Sequence, residues 1–168
     1  MNINLTFIRH AQSKRNVLTK GRTAYKNQEE KLGIPNHLIP ITEEGKKQAQ
    51  EVGRQLSENW EKTHSMEEVT VFHSGFVRTK ETAKVIEEEL RKELSKKGIL
   101  LTLRCEQNHL IRERDAGHCF EMTQIERESH FPFIEEYWEQ EGAWFAVPPG
   151  GESFVQVMDR LALFLTQI

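Results

Sequence analysis

Apolar and polar positions along this chain fall into blocks that switch between a strand-like and a helix-like period. The first block, Ile3 to Ile8, is short, β-branched and aromatic-rich, and predicts a strand entering a sheet core. It ends in Arg9-His10. A polar stretch runs to about residue 40, with Lys14, Arg15, Lys20 and Arg22 clustered early. Pro35 and Pro40 bracket Asn36 to Ile39 and predict an ordered, extended loop there. Thr42 reads as a helix N-cap, and Glu43 and Glu44 suit the positive end of the helix dipole. The helix beyond places Ala49, Val52, Leu56 and Trp60 on one face. A second strand, Val69 to Phe72, closes in His73-Ser74-Gly75. A second helix aligns Ala83, Ile86, Leu90 and Leu94, stops at Gly98, and leads to a third strand, Ile99 to Leu103. Residues 104 to 122 read as irregular. Two short helices at about 123–129 and 132–141, a tight bend at Pro148-Pro149-Gly150-Gly151, and a last helix with Phe154, Val157, Leu161 and Phe164 on one face complete the pattern.

This alternation of strand and helix predicts an α/β fold, three-layered α/β/α, with a mainly parallel sheet. In such sheets ligands collect beyond the carboxyl ends of the strands. Arg9-His10 would stand at one such end, where an imidazole can act as a nucleophile and a guanidinium can hold an anion. The plainer reading of the pair is a solvated strand end. Arg78 holds the equivalent position after the second strand, beside a helix N-terminus with its N–H donors. Two arginines and a histidine at one edge suit a phosphate dianion, although Arg78 alone reads as a surface residue. Glu113, beyond the third strand, can protonate a leaving oxygen if burial raises its pKa. Arg112 and Arg114 oppose that rise, so a surface ion-pair network is an equal reading.

At 168 residues the chain predicts a single domain, with about 104–150 as a cap or substrate-loop insertion. Hydrophobic residues at 37% and charged ones at 29% fit a globular chain, and a net charge of −3 argues against general nucleic-acid binding. No apolar run approaches the roughly 20 residues that span a bilayer, and the N-terminus lacks a secretory pattern, so no membrane partner and a cytoplasmic location are expected. Cys105 and Cys119 fit reduced thiols. A zinc site of Cys105, His109, His118 and Cys119 has an unusual spacing.

Taken together the segments resemble the histidine phosphatase superfamily, also called phosphoglycerate mutase-like, in its small-phosphatase branch. The motifs are Arg9-His10-Ala11-Gln12-Ser13, Gly75-Phe76-Val77-Arg78-Thr79 with Thr82-Ala83, Arg112-Glu113-Arg114-Asp115-Ala116-Gly117, and Pro149-Gly150-Gly151-Glu152-Ser153. The resemblance implies that His10 attacks a phosphate monoester and becomes phosphohistidine. It implies that Arg9, Asn16 and Arg78 bind the phosphate, and that Glu113 protonates the leaving group and later activates water. Ser13, Arg22, His37 and Arg114 become candidate contacts for further groups of a small phosphorylated metabolite. No cofactor or metal is called for, because the arginines carry the positive charge. Inorganic phosphate and a homodimeric partner complete the expected partners.

Some positions depart from the family pattern. Ala11 stands for the usual glycine, His73-Ser74-Gly75 for Ser-Ser-Pro, and Ala116 for a larger residue. The family's second histidine, in a Ser/Thr-His-Gly motif on a strand after the last helix, has no match. His64, His109, His118 and His130 lie on other segments. The chain is therefore expected to be C-terminally incomplete, with impaired turnover and a strand position open to a second chain. A catalytically silent phosphate- or phosphoprotein-binding module and a mutase-type phosphotransferase are the alternatives. The short interval between Glu113 and the Pro-Gly-Gly bend favours phosphatase over mutase. Trp138, Trp144 and Phe145 are expected to pack within the cap.

Overall fold

The computed structural model describes residues 4–20, 31–63 and 68–168. In chain order the elements are α1 (Lys14–Thr19), α2 (Glu43–Thr63), β1 (Glu68–His73), α3 (Val77–Lys96), β2 (Thr102–Gln107), α4 (Gln124–His130), α5 (Ile134–Phe145) and α6 (Phe154–Leu165), with 3-10 turns at Asn36–Leu38, His109–Ile111 and Gly117–Cys119. They group into two compact units. The first comprises Met1–Lys14 and His37–Asn108, the second Arg15–Asn36 and His109–Ile168. Among the described residues no helix is long and apolar enough to cross a membrane.

The first unit is α/β. Strands β1 and β2 pair in parallel, Glu68 opposite Thr102 through His73 opposite Gln107, and α3 makes the crossover that a parallel pair requires. Thr42 caps α2 as its sequence predicts, accepting the Gly45 N–H at 3.0 Å. The two predicted helix faces meet. Ala49 and Ile86 pack with Ala11 and Ile41, while Trp60, Leu90 and Leu94 pack with Leu103. The helices approach closely at Gly53, where a Cβ would lie 2.9 Å from that of Glu89. Ion pairs such as Glu89–Lys92 and Glu93–Lys96 line the solvent side of α3.

Two strand expectations are corrected. Residues 4–10 form no ladder among the described residues, and Leu5, Phe7 and Ile8 are 50%, 83% and 43% exposed rather than buried in a sheet. An apolar, β-branched run reports a preference for burial, but a strand exists only where a neighbour accepts its backbone hydrogen bonds. The third strand begins later than predicted and runs through Arg104, Cys105, Glu106 and Gln107, inside the stretch read as irregular. Its register is set by pairing with β1. The preceding apolar residues Ile99 and Leu101 serve the core without joining the ladder, and Leu100 is exposed. Two smaller differences fall in the polar stretch. Residues 14–19 are helical, and the segment between Pro35 and Pro40 makes a 3-10 turn rather than a purely extended loop.

At its carboxyl end β1 runs into a tight turn. The His73 ring accepts the Gly75 N–H on Nδ1 at 3.1 Å, and Gly75 takes φ +89° with the Gln107 amide pressed against it. Ser74 and Thr79 share a hydroxyl bond of 2.9 Å across the turn. Burial, with the nearby Lys80 charge, pushes the His73 imidazole below its ordinary value of 6.5.

The second unit is helical and is closed by one carboxylate. Glu152 receives Arg160 at 3.0 and 3.1 Å, Arg112 at 3.3 Å and the Asp115 N–H at 3.0 Å. Its backbone N–H bonds Asp115 C=O and its C=O accepts from Arg114, while Arg160 also bonds the Leu110 carbonyl at 2.6 Å. The loop 110–115 is thus held against the start of α6. Burial works to raise the Glu152 carboxyl, but the Arg160 bond, the Asp115 N–H and the Arg160 and Arg112 charges outweigh it and hold it below the carboxylate range. The predicted bend is present, with Gly151 N–H bonded to Pro148 C=O. Capping boxes start α4 (Thr123 with Glu126) and α6 (Ser153 with Gln156). The apolar face of α6 is only partly covered: Phe164 is buried, but Phe154 and Leu161 remain exposed.

The linkage for His73 runs downward in pH. Below about 6.5 the unfolded chain takes up a proton that the folded imidazole refuses, so stability is lost as pH falls from there. His73→Asn supplies the Gly75 N–H with an acceptor that does not titrate. Urea melts at pH 7.5 and 5.5 will show a smaller loss in the variant than in the wild type; equal losses contradict the assignment. For Glu152 the folded carboxyl keeps its charge where the unfolded one is protonated, so its contribution is present above about 4.5 and disappears in more acid solution. Glu152→Gln will lower stability by about 1–3 kcal/mol at pH 7, a gap that closes as pH falls below 4.5. An unchanged urea midpoint at pH 7 contradicts this.

Candidate active site

His10 follows the exposed residues 4–9 and is half-buried. Its Nδ1 lies 2.8 Å from the carbonyl oxygen of Ala11. A carbonyl only accepts, so Nδ1 carries a proton, and in the neutral ring Nε2 is then the nitrogen with the lone pair. The backbone that makes this bond is itself held. Ala11 N–H bonds Thr82 Oγ1 at 3.1 Å, Gln12 N–H bonds the Gln48 side chain at 3.0 Å, and Thr42 N–H and hydroxyl bond the Gln12 carbonyl. Ser13 is 2% exposed and makes an isolated antiparallel bridge with Ile41.

Arg78 sits in the first turn of α3 and is 3% exposed, not the surface arginine that its own position in the sequence suggests. Its guanidinium lies 4.8 Å above the Phe76 ring. The Arg78 carbonyl accepts the Thr82 hydroxyl at 2.7 Å, so two hydrogen bonds link the residue after His10 to the turn that carries Arg78. Arg9 and His37, also in the first unit, are exposed. Arg9 does not end a strand, so the picture of two matched strand ends is replaced by one strand end, that of β1, and one anchored loop.

The remaining candidates belong to the second unit. Asn16 lies on α1, half-buried. Glu113 is exposed on the loop that Glu152 organises, so the burial expected for an acid there is not found, and Arg114 lies 4.7 Å over the Phe154 ring. Arg22 and His64 fall outside the described residues. Among the described residues no three His, Cys, Asp or Glu side chains gather to hold a metal ion. Burial pushes both thiols, Cys105 and Cys119, above their ordinary pKa. Trp138 stacks under Arg127 at 5.4 Å and Trp144 meets the Phe154 ring edge-on at 5.7 Å, although Trp144 and Phe145 are 59% and 63% exposed. Gly142, at φ +75°, breaks helical geometry just before them and kinks α5 there.

Sequence reasoning missed two residues. Thr82 was noted only as part of a motif, although a threonine four residues after an arginine on a buried helix face is a signal for bonding to the preceding turn. Arg160, eight residues after Glu152, carried no local signal.

The sequence matches the histidine phosphatase superfamily (branch 1) over residues 5–168. It is 31% identical over 144 residues to a phosphoglycerate mutase-like protein of Arabidopsis thaliana, covering 78% of this chain and 44% of that protein. Its fold is similar to that of a mycobacterial glucosyl-3-phosphoglycerate phosphatase solved with inorganic phosphate (TM-score 0.56, 21% identity, 94% of this chain and 58% of that one). It is similar also to the alpha-ribazole phosphatase of Shigella flexneri (TM-score 0.61, 19% identity, 95% and 64%). The chain thus spans under half the length of the curated relative and about three-fifths of these solved chains. With a match over nearly its whole length, the chain belongs to the histidine phosphatase superfamily.

Proposed function

We propose that this protein hydrolyses phosphate monoesters of small metabolites through a phosphohistidine at His10. The observation that carries the reading is the bond from His10 Nδ1 to the Ala11 carbonyl, which in the neutral ring makes Nε2 the nitrogen that can attack phosphorus. Family membership and the two phosphatases of similar fold support the reaction class.

In the first step Nε2 forms a bond to phosphorus as the ester P–O bond breaks, and the carboxylic proton of Glu113 passes to the leaving oxygen. In the second step the Glu113 carboxylate takes a proton from water, whose oxygen attacks phosphorus. The P–N bond breaks, returning neutral His10 and releasing inorganic phosphate. Arg9, Arg78 and Asn16 hold the equatorial oxygens, where arginine forks match the charge that spreads in the transition state. The buried setting of Arg78 strengthens its field relative to a solvated side chain. Ser13, Arg22, His37 and Arg114 are assigned to the rest of the substrate, and a cytoplasmic location goes with metabolite chemistry.

A panel of phosphomonoesters assayed for phosphate release tests this. The wild-type chain will turn over at least one, and His10→Ala will lower kcat by about 10³-fold or more. Glu113→Gln will cost about 10²- to 10⁴-fold in kcat/KM on alkyl phosphates, which need a protonated leaving group, and much less in kcat/KM on p-nitrophenyl phosphate, which does not, while kcat falls on both through the shared water step. Retained turnover in His10→Ala, or phosphate binding without any hydrolysis by the wild type, contradicts the proposal; the second result favours a silent binding module.

A further inference from the structure

Thr82 is a costly choice for its place in α3. A β-branched residue inside a helix gives up side-chain freedom, and a hydroxyl bonded to the carbonyl four residues back tends to bend the helix. Thr82 makes that bond, to Arg78 C=O at 2.7 Å, and is only 5% exposed. The same oxygen accepts the Ala11 N–H at 3.1 Å, from a residue 71 positions away in sequence. One hydroxyl therefore donates to the turn bearing Arg78 and accepts from the loop bearing His10. Ala11 is engaged through both of its backbone groups: its carbonyl orients the His10 ring and its N–H fixes where that carbonyl sits. The adjacent residue on α3 makes a parallel tie, since Glu81 accepts the Ile41 N–H at 2.9 Å and Ile41 bridges Ser13.

We infer that Thr82 is a positioning residue for phosphoryl transfer, its hydroxyl setting the placement of the His10 ring relative to the Arg78 turn. The inference rests on the phosphatase reading given above. It follows from the hydrogen-bond count. If the hydroxyl is removed, the buried Ala11 N–H loses its acceptor, and nothing then pins the loop to the arginine's turn at that point. Catalysis is sensitive to such placement, with an ångström of displacement costing on the order of 10²-fold. Thr82 touches neither the ring nor the guanidinium through the bonds described, so its action is on geometry rather than on charge.

The shape of threonine separates this role from simple packing. Valine keeps the shape without the hydroxyl; serine keeps the hydroxyl without the methyl. Steady-state kinetics of the wild type, Thr82→Val and Thr82→Ser on the best substrate of the panel read the difference. Thr82→Val is expected to lose about 10- to 100-fold in kcat with KM changed by no more than about threefold, and Thr82→Ser to stay within about threefold of the wild type in both. Full kcat in Thr82→Val overturns the inference, as does an equal loss in the two variants, which marks the methyl as the element that matters. If Thr82→Val does not fold, Thr82→Ala takes its place, with room for water and the same expected loss in kcat. A wild type that releases no phosphate from any ester overturns the phosphatase reading and this inference with it; an active wild type matched by an active Thr82→Val overturns the inference alone.

Discussion

The short bond between the His10 ring and the carbonyl of the next residue is the constraint on which the proposed chemistry depends. Imidazole offers two nitrogens with opposite roles, and only one of them can attack. Tying Nδ1–H to a carbonyl chooses between them, and it does so with a backbone group whose position the fold controls. That control is local and polar. Ala11, Gln12 and Ser13 are held by a threonine hydroxyl, a glutamine amide and a backbone bridge, while the apolar segment before them lies open to solvent.

Helix α3 serves two purposes at its two ends. Toward its C-terminus Leu90 and Leu94 close the apolar core with Trp60 and Leu103. In its first two turns the buried residues include Arg78 and Thr82, and what secures them is hydrogen bonding and a ring stacked under the guanidinium. Buried polar groups of this kind tolerate little displacement, because each lost partner leaves a desolvated donor or acceptor behind. In the second unit Glu152 plays the organising part. One carboxylate fixes the Arg160 and Arg112 side chains and the Asp115 N–H, and Arg160 in turn holds the Leu110 carbonyl.

Much of the fold was legible in the sequence where packing follows periodicity. The faces Ala49–Trp60 and Ala83–Leu94, the Thr42 cap, the Gly98 stop and the Pro148 bend all occur as their patterns predict. Expectations failed where pairing or burial depends on a distant partner. Ile3 to Ile8 has the composition of a strand, yet residues 4–8 form no ladder among the described residues, and the polar run Arg104 to Gln107 is a strand because β1 offers a register. Arg78 reads as solvated because nothing in its flanks announces burial. The candidate residues themselves were found through motif resemblance. Their support was not, because a threonine hydroxyl shared between two segments, or an arginine eight residues beyond a glutamate, has no periodic signature.

The account makes a claim about a single nitrogen atom. Phosphorus-31 NMR of the chain trapped after a brief exposure to a phosphoryl donor, with peptide mapping, distinguishes phosphate on Nε2 of histidine from phosphate on Nδ1. A phosphoenzyme carried by His10 through Nε2 is the predicted result. Phosphate on Nδ1 of His10, or on another residue while His10 stays unmodified, contradicts the account.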